Sequence, residues 1–212
     1  MVRPHVVLLG DSIFDNGAYV APRPDVIRQL RTELGGTAAA TLLALDGAVT
    51  RRVHEQLQRL PTGATHLVIS VGGNDALGYS SLFTHAASTI GEAVTRLADA
   101  RARFEADYRS MAAAVLELDM PTAFCTIYDA NYTEPQRTLV VTGLTLFNDV
   151  ITRAAFEMGA DLIDLRIIAS EPSDYANPIE PSAGGGEKIV RAISSFVQAS
   201  RSRSAPSQVF LR

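Results

Sequence analysis

The chain has 212 residues, 47% of them hydrophobic and 20% charged, with a formal net charge of −4. That length suits one large domain with a substantial core, and so mild an acidic balance gives no electrostatic reason to expect nucleic acid or an anionic membrane surface as partner. The single cysteine, Cys125, excludes an internal disulfide and a multi-cysteine metal site.

In chain order, "MVRPHVVLLGDS" opens with an apolar run shorter than a signal peptide or a membrane span requires. Together with the lone cysteine, read as a packing residue in "PTAFCTIY", this gives an expectation of a reducing, cytoplasmic setting. "HVVLLG" (5–10) reads as a buried strand ended by glycine, and the same grammar recurs at 40–47, 65–73, 121–129 and 160–166. Between these runs apolar residues fall three and four apart, over about 24–34, 49–59, 88–118, 136–158 and 183–199. Strands separated by helices predict right-handed crossovers and a five-stranded parallel sheet covered on both faces, an α/β domain over 1–199. The remainder, "SRSRSAPSQVFLR" (200–212 with its first serine), reads as a loosely docked polar tail.

In an open parallel sheet ligands bind beyond the carboxyl ends of the strands. "LLGDSIFDNG" places Ser12 just after the first strand, where a nucleophilic serine or a plain helix cap would equally sit. Of its neighbours, Asp11 is expected to brace the loop and Asp15 to cap the next helix. "VGGNDALG" follows the third strand, and its glycines and Asn74 suit either a turn or an oxyanion site. Gly47 after the second strand offers an uncrowded N–H or merely ends the strand.

Taken together, "GDS" with Ser12, Gly47 in "DGAVT" and "GGND" with Asn74 resemble the GDSL-type (SGNH) hydrolases, serine esterases and acylhydrolases on a flavodoxin-like three-layer α/β/α fold. The resemblance spans residues 5 to about 195 and implies a Ser12 nucleophile, with an oxyanion hole of the Ser12 and Gly47 N–H groups and the Asn74 side chain. A small-molecule ester is the expected partner and no cofactor is needed. With no H-E-x-x-H, no cysteine pair and no dense His/Asp cluster, no metal site is expected either. Charge and hydropathy point to no nucleic acid and no membrane span, and the oligomeric state stays open. Asp11, Gly73, Asp75 and Tyr128 follow strands and are expected to contact substrate, with 76–90 and 128–137 walling the pocket.

The last motif departs from the pattern. Where the family carries Asp-x-x-His, "ANPIEPSAGGGEKI" carries Asn177 and Glu180, and no histidine elsewhere (His5, His54, His66, His85) has an aspartate three residues before it. Glu180 as general base, with Asn177 donating a hydrogen bond to orient it, is one reading; His85 or Asp174 as the base is another, and a site without turnover a third. The rival functions are a binding or regulatory protein that keeps the pocket, and an acyltransferase.

Overall fold

The structure, a computed structural model, describes residues 3–199 and 206–211. Five strands appear where the apolar runs place them: β1 (His5–Gly10), β2 (Ala39–Leu42), β3 (His66–Ser70), β4 (Thr122–Cys125) and β5 (Asp161–Ile163). All pair in parallel, in the order β2-β1-β3-β4-β5. The helices are α1 (Gly17–Val20), α2 (Val26–Leu34), α3 (Val53–Leu57), α4 (Gly73–Gly78), α5 (Ile90–Leu116), α6 (Gln136–Glu157), α7 (Leu165–Ile168) and α8 (Ala183–Ala199). A separate hairpin, β6 (Tyr175–Asn177) with β7 (Glu180–Pro181), precedes α8.

Alternation along β1 sorts its side chains between two cores. Val6 and Leu8 join Leu30 of α2 and Ile189, Ile193 and Phe196 of α8 on one face. Val7 and Leu9 join Tyr108 and Met111 of α5 and Ile151 of α6 on the other. Each of these four strand residues is fully buried, a burial worth about 1.5–3 kcal/mol per side chain. By length and composition α6 is apolar enough to cross a membrane, yet its Phe147, Val150, Ile151 and Ala154 lie in the second core.

The sheet has a sixth strand, correcting the expected five: β8 (Val209–Phe210) pairs in parallel beyond β5. The segment read as a loose tail therefore docks in part, because an apolar dipeptide follows its polar start and Phe210 packs edge-on to Phe196 at 5.7 Å. Residues 200–205 of that segment lie outside the described residues.

Candidate active site

Ser12 sits on the turn leaving β1, and the turn is fixed at its base. Gly10 has φ +121°, and a Cβ there would lie 1.8 Å from the Ser70 carbonyl oxygen, so only glycine passes that close to β3. Gln56 of α3 clasps the same residue from the side: its Oε1 accepts the Gly10 N–H at 2.7 Å and its Nε2 donates to the Gly10 carbonyl at 2.8 Å. That carbonyl also accepts the Leu45 N–H at 3.0 Å, tying in the loop that carries Gly47. Asp11 Oδ1 accepts the Ile13 N–H at 3.2 Å and tightens the turn. Asp15 caps no helix; its Oδ2 accepts the Asp46 N–H at 2.9 Å, a second tie to the Gly47 loop.

The Ser12 hydroxyl donates to Glu180 Oε1 at 2.9 Å, and both residues are buried. Glu180 Oε2 has no hydrogen-bond partner among the described residues. Burial pushes the Glu180 carboxyl up to about 7; the Ser12 hydrogen bond opposes this and the Asp46 charge adds to it. Asp11 is likewise raised well above the usual carboxylate range, first by burial and then by the charge of Glu180.

Asn177 does not orient Glu180. Although it is Glu180's cross-strand partner in the hairpin, its Oδ1 accepts the Ile179 N–H at 2.9 Å, closing an Asx turn over Pro178 and Ile179. The hairpin is held instead by groups that the sequence reading did not assign to it. Tyr128 Oη donates to the Ile179 carbonyl at 2.6 Å, the Asn131 N–H to the Pro178 carbonyl at 2.8 Å, and Asn16 Nδ2 to the Pro181 carbonyl at 3.3 Å.

On the other side of Ser12, Asn74 lies in the first turn of α4 and its Nδ2 donates to the Ala48 carbonyl at 3.0 Å. An amide NH₂ has two donors, so this bond fixes the side chain against the Gly47 loop and leaves the second N–H free of that contact. Neither the Ser12 nor the Gly47 N–H has a partner within the described residues. Asp75 is turned away: its Oδ2 accepts both the N–H and the hydroxyl of Thr50, at 2.9 and 3.0 Å, so it supports the loop and is not among the residues that line the cavity beside Ser12.

Ser12 and Glu180 open into one cavity with Asp11, Gly73, Asn74 and Tyr128. The segments 76–90 and 128–137 contribute Leu77, Tyr79, Phe83 and Tyr132 to it. The helices α5 and α6 supply a further wall that the sequence reading left out, including Leu97, Gly143 and Leu144. His85 is exposed and absent from the lining. Asp174 is buried beneath the hairpin, where its Oδ2 accepts from Lys188 Nζ at 2.7 Å and from the Glu171 N–H at 3.0 Å. Among the described residues no group of three or more His, Cys, Asp or Glu side chains is placed to hold a metal ion.

The architecture is similar to that of an extracellular lipase from Streptomyces rimosus, with 19% identity and a TM-score of 0.67 over 91% of this chain and 99% of that one. A phospholipase A1 from Streptomyces albidoflavus NA297 matches at 18% identity and TM-score 0.69, covering 92% and 99% of the two chains. Axe2, an acetylxylan esterase from Geobacillus stearothermophilus, matches at 16% and 0.59, covering 94% and 98%. At these identities the likeness is one of fold. No curated protein sequence matches the chain. The model of the GDSL-like lipase/acylhydrolase family matches residues 8–187, and the chain belongs to that family.

Proposed function

We propose that the protein is a serine esterase in which Ser12 is the nucleophile and Glu180, not a histidine, is the general base. The observation that carries this is the 2.9 Å contact from the Ser12 hydroxyl to a buried carboxylate whose other oxygen has no partner. A carboxylate at its ordinary value of about 4.3 is roughly 2 pKa units, or about 3 kcal/mol, poorer as a base than an imidazole near 6.5. Raised to about 7, Glu180 has no such deficit.

In the proposed reaction Ser12 Oγ bonds to the acyl carbon while its proton passes to Glu180 Oε1. The electron pair displaced onto the carbonyl oxygen is met by the Ser12 and Gly47 N–H groups and the Asn74 amide, each good donor being worth about 3–4 kcal/mol. Collapse breaks the bond to the alcohol, which leaves with the proton from Glu180. Water then gives Glu180 a proton as its oxygen bonds to the acyl carbon, and the second collapse frees the acid and returns the proton to Ser12.

Glu180 needs no neighbouring aspartate in this scheme. Such a group fixes an imidazole tautomer and stabilises imidazolium, whereas beside a carboxylate it would only repel. A fluorophosphonate probe, read by mass spectrometry, tests the proposal: Ser12 is labelled, and Glu180→Gln slows the labelling. An unlabelled Ser12 would favour the alternative of a binding protein that keeps the pocket without turnover.

A further inference from the structure

The cavity continues well past the catalytic groups. Both α5 and α6 begin beyond the carboxyl edge of the sheet and run back along it. α5 meets the sheet at Phe104, whose ring stands 3.1 Å from where a Cβ on Gly72 would lie, and α6 meets it at Phe147, 4.9 Å from the Phe104 ring. From Ile90 to Phe104, α5 extends about 20 Å at 1.5 Å per residue, so its first half stands clear of the sheet. Ile90, Val94 and Leu97 share one face of it. Leu97 and Ala100 line the cavity, while Ile90 is 85% and Val94 56% exposed, so the apolar stripe runs on from the cavity into solvent.

Facing it, α6 contributes Val140, Gly143 and Leu144. Phe83, from the 3₁₀ turn Ser80–Thr84, rests on α6 where a side chain would otherwise be: a Cβ on Gly143 would lie 2.8 Å from Phe83 Cζ. None of the residues lining the cavity is Lys, Arg or His, while Asp11 and Glu180 stand at its inner end. A chain bearing a carboxylate or phosphate would find no counter-charge along the cavity.

We propose that this groove holds an uncharged aliphatic acyl chain of medium length, and that Phe83 over Gly143 sets how much of it is accepted. The inference rests on Ser12 being the nucleophile. Its direction follows from the chemistry: Glu180 must hand its proton to the leaving alcohol, whose oxygen therefore sits beside the β6–β7 hairpin, while the wall of Leu97, Ala100, Val140 and Leu144 is apolar. The acyl chain therefore lies between α5 and α6, and the alcohol lies toward the β6–β7 hairpin.

The test is the ratio of kcat/KM values across para-nitrophenyl acetate, butanoate, octanoate and dodecanoate. Each methylene withdrawn from water contributes roughly two- to fourfold, so octanoate exceeds acetate by at least about tenfold. Gly143→Leu fills the groove and lowers the octanoate-to-acetate ratio at least about fivefold, within the reach of two lost methylenes. Phe83→Ala raises dodecanoate relative to octanoate. Ratios measured on one preparation are insensitive to a partly unfolded fraction.

A preference for acetate with both ratios unchanged in the variants overturns the groove assignment while leaving Ser12 as nucleophile. So does a chain-length effect confined to acetate esters of longer alcohols. If no ester is turned over, the proposed function fails, and the groove is then read by binding: Ser12→Ala protein binds methyl octanoate in saturation-transfer NMR, and Gly143→Leu weakens the signal. Absence of that binding overturns the inference independently.

Discussion

Two carboxylates six residues apart, Asp174 and Glu180, flank the same short hairpin and are buried to nearly the same degree, 3% and 4% exposed. Their surroundings differ completely. Asp174 accepts from the Lys188 ammonium and the Glu171 N–H, and its backbone carbonyl takes the Ser182 N–H at 2.8 Å, so it anchors the hairpin to α8. Glu180 has one neutral hydroxyl and an oxygen with no partner. Burial without a counter-charge turns a carboxylate into a proton acceptor matched to neutral pH; burial beside an ammonium makes a structural fastening. Nearly equal exposure thus gives opposite chemistry, and the difference lies in what each oxygen meets.

The widest separation between the two residues is in activity. Glu180→Gln lowers kcat/KM on an activated ester by about 10²–10⁴-fold, the usual contribution of a positioned base, and Asp174→Asn does not approach that loss. The wild-type rate falls about tenfold per pH unit below about 7, because only ionised Glu180 accepts the serine proton. A flat profile from pH 5 to 8 would place the base elsewhere.

In stability the same substitution acts in the other direction. A carboxyl raised in the folded chain holds its proton more tightly there than in the unfolded chain. Its cost to stability is therefore absent below about 4.5, grows as pH rises through the window to about 7, and is fully present above it. Glu180→Gln should stabilise the protein at pH 8 by up to about 3 kcal/mol, the ceiling set by 1.36 kcal/mol per unit, and leave it unchanged at pH 4, read by urea denaturation.

Converting one site toward the other is the next test in size. Lys188→Met leaves Asp174 buried without its ammonium and costs about 1–3 kcal/mol, between an exposed and a fully buried pair because Lys188 is one-third exposed. The smallest effect belongs to Asn177→Ala, which loses one turn hydrogen bond worth about 0.5–1.5 kcal/mol and changes kcat only a few-fold. A loss as large as that of Glu180→Gln would return Asn177 to the role of orienting the base.

The core strands were legible because fully buried parallel strands read as uninterrupted apolar runs, and the serine turn because "GDS" follows one of them directly. The pairing of position 180 with Ser12 was legible from motif order alone. The role of Asn177 was not, because an Asx turn competes locally for the amide and spacing cannot say which bond wins. Asp75 was misread for a similar reason: a strand-end carboxylate points either to the ligand or to a neighbouring loop, and Thr50 lies 25 residues away in sequence. The cavity wall supplied by α5 and α6 was missed because helical periodicity reports which residues share a face but not where a long helix leaves the sheet.

The Gly10 carbonyl, shared between Gln56 and Leu45, has a consequence for how this protein tolerates change. The Ser12 turn and the loop bearing Gly47 meet at that atom and again at the Asp15–Asp46 bond, so displacing either one drags the other with it. Under the proposed function attack and charge capture are mechanically geared together, and changes of specificity are easier to reach through the helices around the groove than through the two loops that meet there.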